Sequence, residues 1–221
     1  MTSHAQLPTH AQTSSAQQVF AELLENRVST GRYRADQQLN PQTIETLIRL
    51  TGLSPSAYNL QNWRFIAVQS AEAKTRLQAQ AYGQPQVTAA AVTFIICGTL
   101  NAHHGLHGAL QPSVDAGIVP AKLQESWVDA ATQTHTDNPQ LQRDEAFRSA
   151  SLAAMTLMMA AESMGLAAGP MSGFDVNGVS AEFKLSAEEL PVMLVTVGYP
   201  EEQSNRKQKC RKPVADILSY A

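Results

Sequence analysis

Residues 54–65 read SPSAYNLQNWRF. Small residues and a proline stand beside amides, then a tryptophan and a basic residue, and a β-prone run (Phe65, Ile66, Ala67, Val68) follows at once. Pro55 and Ser56 set a bend with open backbone groups. Asn59 and Gln61 carry amides that both donate and accept hydrogen bonds. The pattern predicts a ligand-binding turn between a helix and a buried strand, although a polar loop capping a helix has the same composition.

Upstream, a helix is expected over 16–27, with Val19, Phe20, Leu23 and Leu24 on one face. A second opens at Asn40-Pro41, an N-cap followed by a proline whose missing N–H is not needed in the first turn. Ile44, Leu47, Ile48 and Leu50 form its apolar face, and Gly52 stops it. Downstream, a helix is expected over 71–81. VTFIICGTL at 92–100 predicts a strand buried on both faces. Glycines and prolines break 103–136 into expected short helices and loops. Asp137-Asn138-Pro139 opens a long helix to about residue 164, apolar on every side over 152–161, as in a core or a subunit interface. VMLVTVGY at 192–199 predicts a second buried strand.

The chain has 221 residues, 43% hydrophobic and 16% charged, with a formal net charge of -3. That length suits one domain with a good core. So low a charged share points to surface hidden in an oligomer. The acidic balance argues against a nucleic-acid partner. Cys97 and Cys210 lack metal-type spacing and form no disulfide framework. The polar stretch 1–15 reads as a flexible arm before a single domain over 16–221, without the apolar core of a secretory signal. No run is long enough to span a bilayer, so a cytoplasmic protein is expected. No G-x-G-x-x-G, P-loop or G-x-S-x-G occurs.

Four further segments bear on function. Arg27-Val28-Ser29-Thr30-Gly31-Arg32-Tyr33 places guanidinium and hydroxyl donors at a helix end, suited to phosphate or to easing the helix dipole. Gly83-Gln84-Pro85-Gln86 alternates amides across a turn. Gly169-Pro170-Met171-Ser172-Gly173-Phe174-Asp175 is a small-residue loop that admits a flat ligand close to backbone, or a plain connector. Five of the seven residues over 206–212 are basic, including Lys209 and Arg211: a phosphate grip or a solvated tail. His103, His104 and His107 have no accompanying carboxylate or cysteine pattern, so no metal site is expected. Met155, Met158 and Met159 read as core filler.

Taken in order, these segments resemble the nitroreductase family of FMN-dependent NAD(P)H oxidoreductases, in particular a small subgroup labelled NAD(P)H nitroreductases. The resemblance covers about 20–220. It is carried by Arg27 and Ser29, by PSAYNLQ over 55–61, by Gly83-Gln84, by RDEA over 143–146, by PMSGFD over 170–175 and by RKPV over 211–214.

It implies an α+β fold, a mixed central sheet surrounded by helices, in an intertwined homodimer with FMN in clefts at the interface. It further implies that Arg27, Val28, Ser29 and Arg211, with Lys209, hold the phosphate and ribityl end. Pro55, Ser56 and Asn59 would reach the same flavin from the partner subunit. Gln84 and Gln86 would approach its pyrimidine side or its ribityl chain, and Met171, Ser172 and Gly173 would line the ring near N5. The implied activity passes hydride from NADH or NADPH through the flavin to a quinone, nitroaromatic or similar small acceptor, with no catalytic side chain. An FMN store or sensor is the alternative. Relatives often carry cations where Gly31 and Gln86 stand and Glu where Ser172 stands. The expectation is a lower flavin potential here.

Overall fold

The computed structural model describes residues 15–201 and 207–221. The arm expected over 1–15 lies outside the described residues up to position 14, as does Arg206 of the basic tail. Ser15 already belongs to α1 (Ser15–Asn26).

Four strands form the sheet: β1 (Trp63–Val68), β2 (Val92–Thr99), β3 (Ala167–Met171) and β4 (Glu189–Gly198), in the order β1-β2-β4-β3. All three pairings are antiparallel. Among the described residues, the parallel component is a bridge from Ser29 to Ala168 on the β3 edge.

β2 is buried on both faces, and period-two alternation sorts its side chains. Val92, Phe94 and Ile96 join the core under α2 (Pro41–Thr51) and α7 (Pro139–Ser163). Ile95 and Cys97 face the opposite cluster, with Leu77 of α3 (Ala71–Gln80) and Val179 of α8 (Val176–Glu182). Burial pushes the Cys97 thiol up to about 12.

Caps set the helix limits as expected. Asn40 accepts from Thr43 N at 2.7 Å, and Asn138 accepts from Leu141 N at 3.1 Å. Gly165 ends the α7 region with φ 71°. The remaining helices are α4 (Gln86–Ala89), α5 (Leu106–Asp115) and α6 (Ala121–His135). Among the described residues, no helix is long and apolar enough to cross a membrane.

Three expectations change. The first half of the presumed 169–175 loop is β3. Its sequence AAGPM lacks branched side chains, and it pairs because its backbone can lie close to a neighbour: a Cβ on Gly169 would stand 2.3 Å from Thr30 O. The 103–136 region holds a helix of 15 residues, α6, started by Pro120. The apolar face of α1 touches α7 but is largely uncovered in one chain, with Val19 55% and Phe20 57% exposed.

Candidate functional site

The chain leaves α1 and runs along the open edge of β3. Thr30 N donates to Ala168 O at 3.2 Å. Tyr33, buried, donates its hydroxyl to Thr196 Oγ1 at 2.7 Å, and Thr196 Oγ1 donates to Gly169 O at 3.0 Å. Burial pushes the Tyr33 phenol above its ordinary range, against the pull of the Thr196 hydrogen bond. This knot fixes residues 27–33 on the sheet.

The C-terminal tail returns to the same place. Val28, Ser29, Lys207, Gln208, Lys209 and Arg211 line one pocket. Gln208 Nε2 donates to Arg27 O at 2.7 Å, and Arg211 Nη2 donates to Gln208 Oε1 at 2.9 Å. Arg27 Nη1 is buried and, among the described residues, has no hydrogen-bond partner. Glu162 stands near enough to feel it: burial raises the carboxyl's pKa, and the Arg27 charge opposes that rise. A buried guanidinium nitrogen without an acceptor is costly. The adjoining pocket, with two lysines and Arg211 in its lining, suits a multiply charged oxyanion.

A second group adjoins it. The groove next to residues 27–33 is lined by Gly31, Arg32, Tyr33, Pro85 and Gln86, among others. Gln84 Nε2 donates to Gly173 O at 2.7 Å, and Gln86 Nε2 donates to Gln84 Oε1 at 2.9 Å. The order of donors follows from chemistry. A backbone carbonyl only accepts, so Gln84 must present its NH2 there, and its oxygen must take the Gln86 proton. The Gln86 oxygen is thereby left as an acceptor. Ser172 and Gly173 are exposed at the rim, whereas Met171 is buried in the core cluster with Val68 and Leu77 and offers its backbone.

Pro55, Ser56 and Asn59 do not join this group. Their turn contains a short 3-10 segment (Ala57–Asn59), with Tyr58, Asn59 and Gln61 at positive φ. Ser56 Oγ accepts from Gln61 N at 2.9 Å, and Ser54 Oγ donates to Thr156 Oγ1 on α7 at 2.7 Å. Leu60, Ala57 and Tyr58 pack with Leu106, Leu110 and Ala131 of α5 and α6. Among the described residues, no hydrogen bond of this turn reaches residues 27–33, 84–86 or 171–173.

Strand register explains the separation. The turn leads into Trp63, which pairs with Gly98, while Ser29 bridges Ala168, which pairs with Val197 opposite Val92. From Val92 to Gly98 is about 20 Å at roughly 3.3 Å per residue, and four strand spacings of about 4.8 Å, counting the step from β3 to Ser29, add about 19 Å across. The two sets occupy opposite corners of the sheet.

His103 and His135 are buried, with ring centroids 5.6 Å apart; among the described residues both ring nitrogens of His103 and Nε2 of His135 lack a partner, while Nδ1 of His135 donates to Ala131 O at 2.9 Å. Among the described residues, no group of three or more His, Cys, Asp or Glu is arranged to hold a metal. Sequence reasoning assigned no role to Tyr33, Thr196, Gln208 or Glu162. Only the proximity of Tyr33 to Arg27 and of Gln208 to Arg211 offered a signal.

Comparison with known proteins gives a consistent set of matches. The model of the nitroreductase family matches residues 24–199. The Bacillus subtilis protein named "Putative NAD(P)H nitroreductase MhqN" is 28% identical over 202 residues, covering 91% of this chain and 98% of that one. "Putative NAD(P)H nitroreductase YodC" of the same organism is 30% identical over 188 residues, covering 84% and 93%. Among solved structures, the B. subtilis nitroreductase ydfN superposes with a TM-score of 0.86 at 27% identity, covering 92% of this chain and 99% of that one. An Exiguobacterium sibiricum protein described in complex with FMN gives a TM-score of 0.84 at 24% identity, covering 91% and 97%, a likeness of fold.

Proposed function

Because the chain belongs to the nitroreductase family, we propose that it is an FMN-dependent oxidoreductase that takes electrons from NADH or NADPH and passes them to a quinone, nitroaromatic or similar small acceptor. The observation that carries this reading is the pocket in which Ser29, Lys207, Lys209 and Arg211 come together, next to an amide pair of fixed polarity. The first suits the phosphate of FMN and the second the edge of its ring, so the residues present fit the group.

In this reading Arg27, Ser29, Lys209 and Arg211 hold the phosphate, with Val28 as pocket wall. Gln86 offers its free oxygen to the N–H of the pyrimidine edge, which needs an acceptor. The exposed rim at Ser172 and Gly173 lets a flat ring approach backbone. When bound, FMN supplies the hydride chemistry between nicotinamide and acceptor. The protein's part is to bind, orient and shield the ring, and no nucleophilic side chain is needed.

The sheet-corner separation supports a cleft completed by a second copy. Pro55, Ser56 and Asn59 serve the flavin of the partner subunit in a homodimer, because they stand too far from Arg27 and Gln86 of their own chain. The lack of a cation at Gly31 and Gln86 supports a flavin potential below that of relatives carrying lysine or arginine there, as long as Arg32 of the same groove does not take that place.

The test is an absorption spectrum of the purified protein after reconstitution with FMN. A bound flavin band that bleaches with NADH or NADPH and returns on adding a quinone is the expected result. A protein that takes up no FMN would overturn the reading. Bound flavin that neither nicotinamide bleaches would make it an FMN carrier instead.

A further inference from the structure

α3 buries a charged side chain that the proposed function does not use. Lys74 is 7% exposed and forms no ion pair among the described residues. Its Nζ donates to Thr88 O at 3.0 Å and to Ala90 O at 2.8 Å, the carbonyls at the end of α4. One turn along the same helix face, Gln78 Nε2 donates to Gln84 O at 3.2 Å and to Thr88 Oγ1 at 3.3 Å. Thr88 Oγ1 in turn donates to Pro85 O at 3.1 Å.

Burying an ammonium without a counter-ion is expensive, and burial lowers the Lys74 pKa accordingly. An apolar residue would join α3 to α4 at less cost. What the lysine adds is direction: its hydrogen bonds, with those of Gln78, end on the short segment that carries Gln84 and Gln86. α3 also holds the other side of the amide chain, because Asp175 N donates to Gln80 O at 2.7 Å, two residues beyond Gly173. One helix therefore fixes both ends of the Gln86–Gln84–Gly173 relay.

We infer that Lys74, together with Gln78, is a positioning residue for the flavin-edge amides, holding the 83–90 segment so that the Gln86 acceptor is presented at one place. The inference rests on the FMN reading given above.

The test titrates the full-length apoprotein with FMN, following quenching of flavin fluorescence and the shape of the bound absorption band, for wild type, Lys74→Met, Gln78→Leu and the exposed same-helix control Thr75→Ala. Lys74→Met and Gln78→Leu are expected to bind FMN about tenfold more weakly, as loss of one hydrogen bond to a charged or buried partner implies. The band should change shape in both, with far-UV circular dichroism preserved. Thr75→Ala should match wild type. Wild-type affinity and band in both variants would overturn the inference. So would weaker binding with an unchanged band, the mark of a merely structural role. If Lys74→Met does not fold, Gln78→Leu carries the same outcomes. Wild type that takes up no FMN removes the underlying reading, and the inference with it; wild type that binds while the variants bind equally well sinks the inference alone.

Discussion

At Tyr33 one hydroxyl joins segments far apart in the chain. It donates to Thr196 Oγ1, 163 positions away, and lies 3.3 Å from Thr30 O. Tyr33→Phe keeps the packing and removes that tie, leaving Thr196 Oγ1 without its donor in the core. A loss of about 1–2 kcal/mol is expected, read in thermal melts as roughly 2–4 °C per kcal/mol. FMN binding should weaken as well, because Ser29 and Thr30 lose their anchor. An unchanged melting temperature would contradict the role given to Tyr33. The tyrosine stands in plain view beside Arg27 in the sequence, but its partner does not. Lys74 shows the same limit: its place on an amphipathic helix is legible, and its burial against the carbonyls of Thr88 and Ala90 is not.

Between strands, Arg64 of β1 pairs with Glu189 at the start of β4. Burial opposes ionisation of Glu189, but hydrogen bonds from Arg64 and from Ser186 N at 2.8 Å prevail, and the carboxyl is held below its usual range. A depressed carboxyl stabilises the fold above the unfolded pKa, near 4.3, and that contribution is lost as pH falls through the folded value. Urea unfolding at pH 7 and pH 3 should therefore show a larger acid loss in wild type than in Glu189→Gln. Equal losses would mean that the pair does not couple to the fold. Element by element, legibility followed the strength of local signals. Asn-Pro caps placed α2 and α7 within a residue or two, and unbroken apolar runs placed β2 and β4. β3 escaped because AAGPM has no strand-forming side chains. It is a strand because Gly169 lets Thr30 approach and because β4 presents an open edge to it.

For the molecule as a whole, the informative surface is the one that a single chain leaves uncovered. Leu152 (48% exposed) and Met155 stand out from α7, and Val19 and Phe20 from α1. Exposed apolar side chains on helices suit an interface, and the shared cleft proposed above would put that interface between two copies of the chain. Sedimentation should show a dimer. Leu152→Glu combined with Met155→Glu should give a monomer that binds FMN at least about tenfold more weakly, since it lacks the partner's Asn59 turn. A monomer with wild-type affinity would refute the shared cleft. The amino-acid sequence alone determined the capped helices α2 and α7, the two central strands and the short segments that the resemblance joined into one family, because each depends on neighbours a few positions away. Only the tertiary structure decided that Gln86, Gln84 and Gly173 form one relay, that Arg27 keeps a buried nitrogen without a partner among the described residues, and that Asn59 stands at the far corner from both. Those facts depend on strand register and on pairings across the whole chain, where chain entropy is overcome only by the packed core.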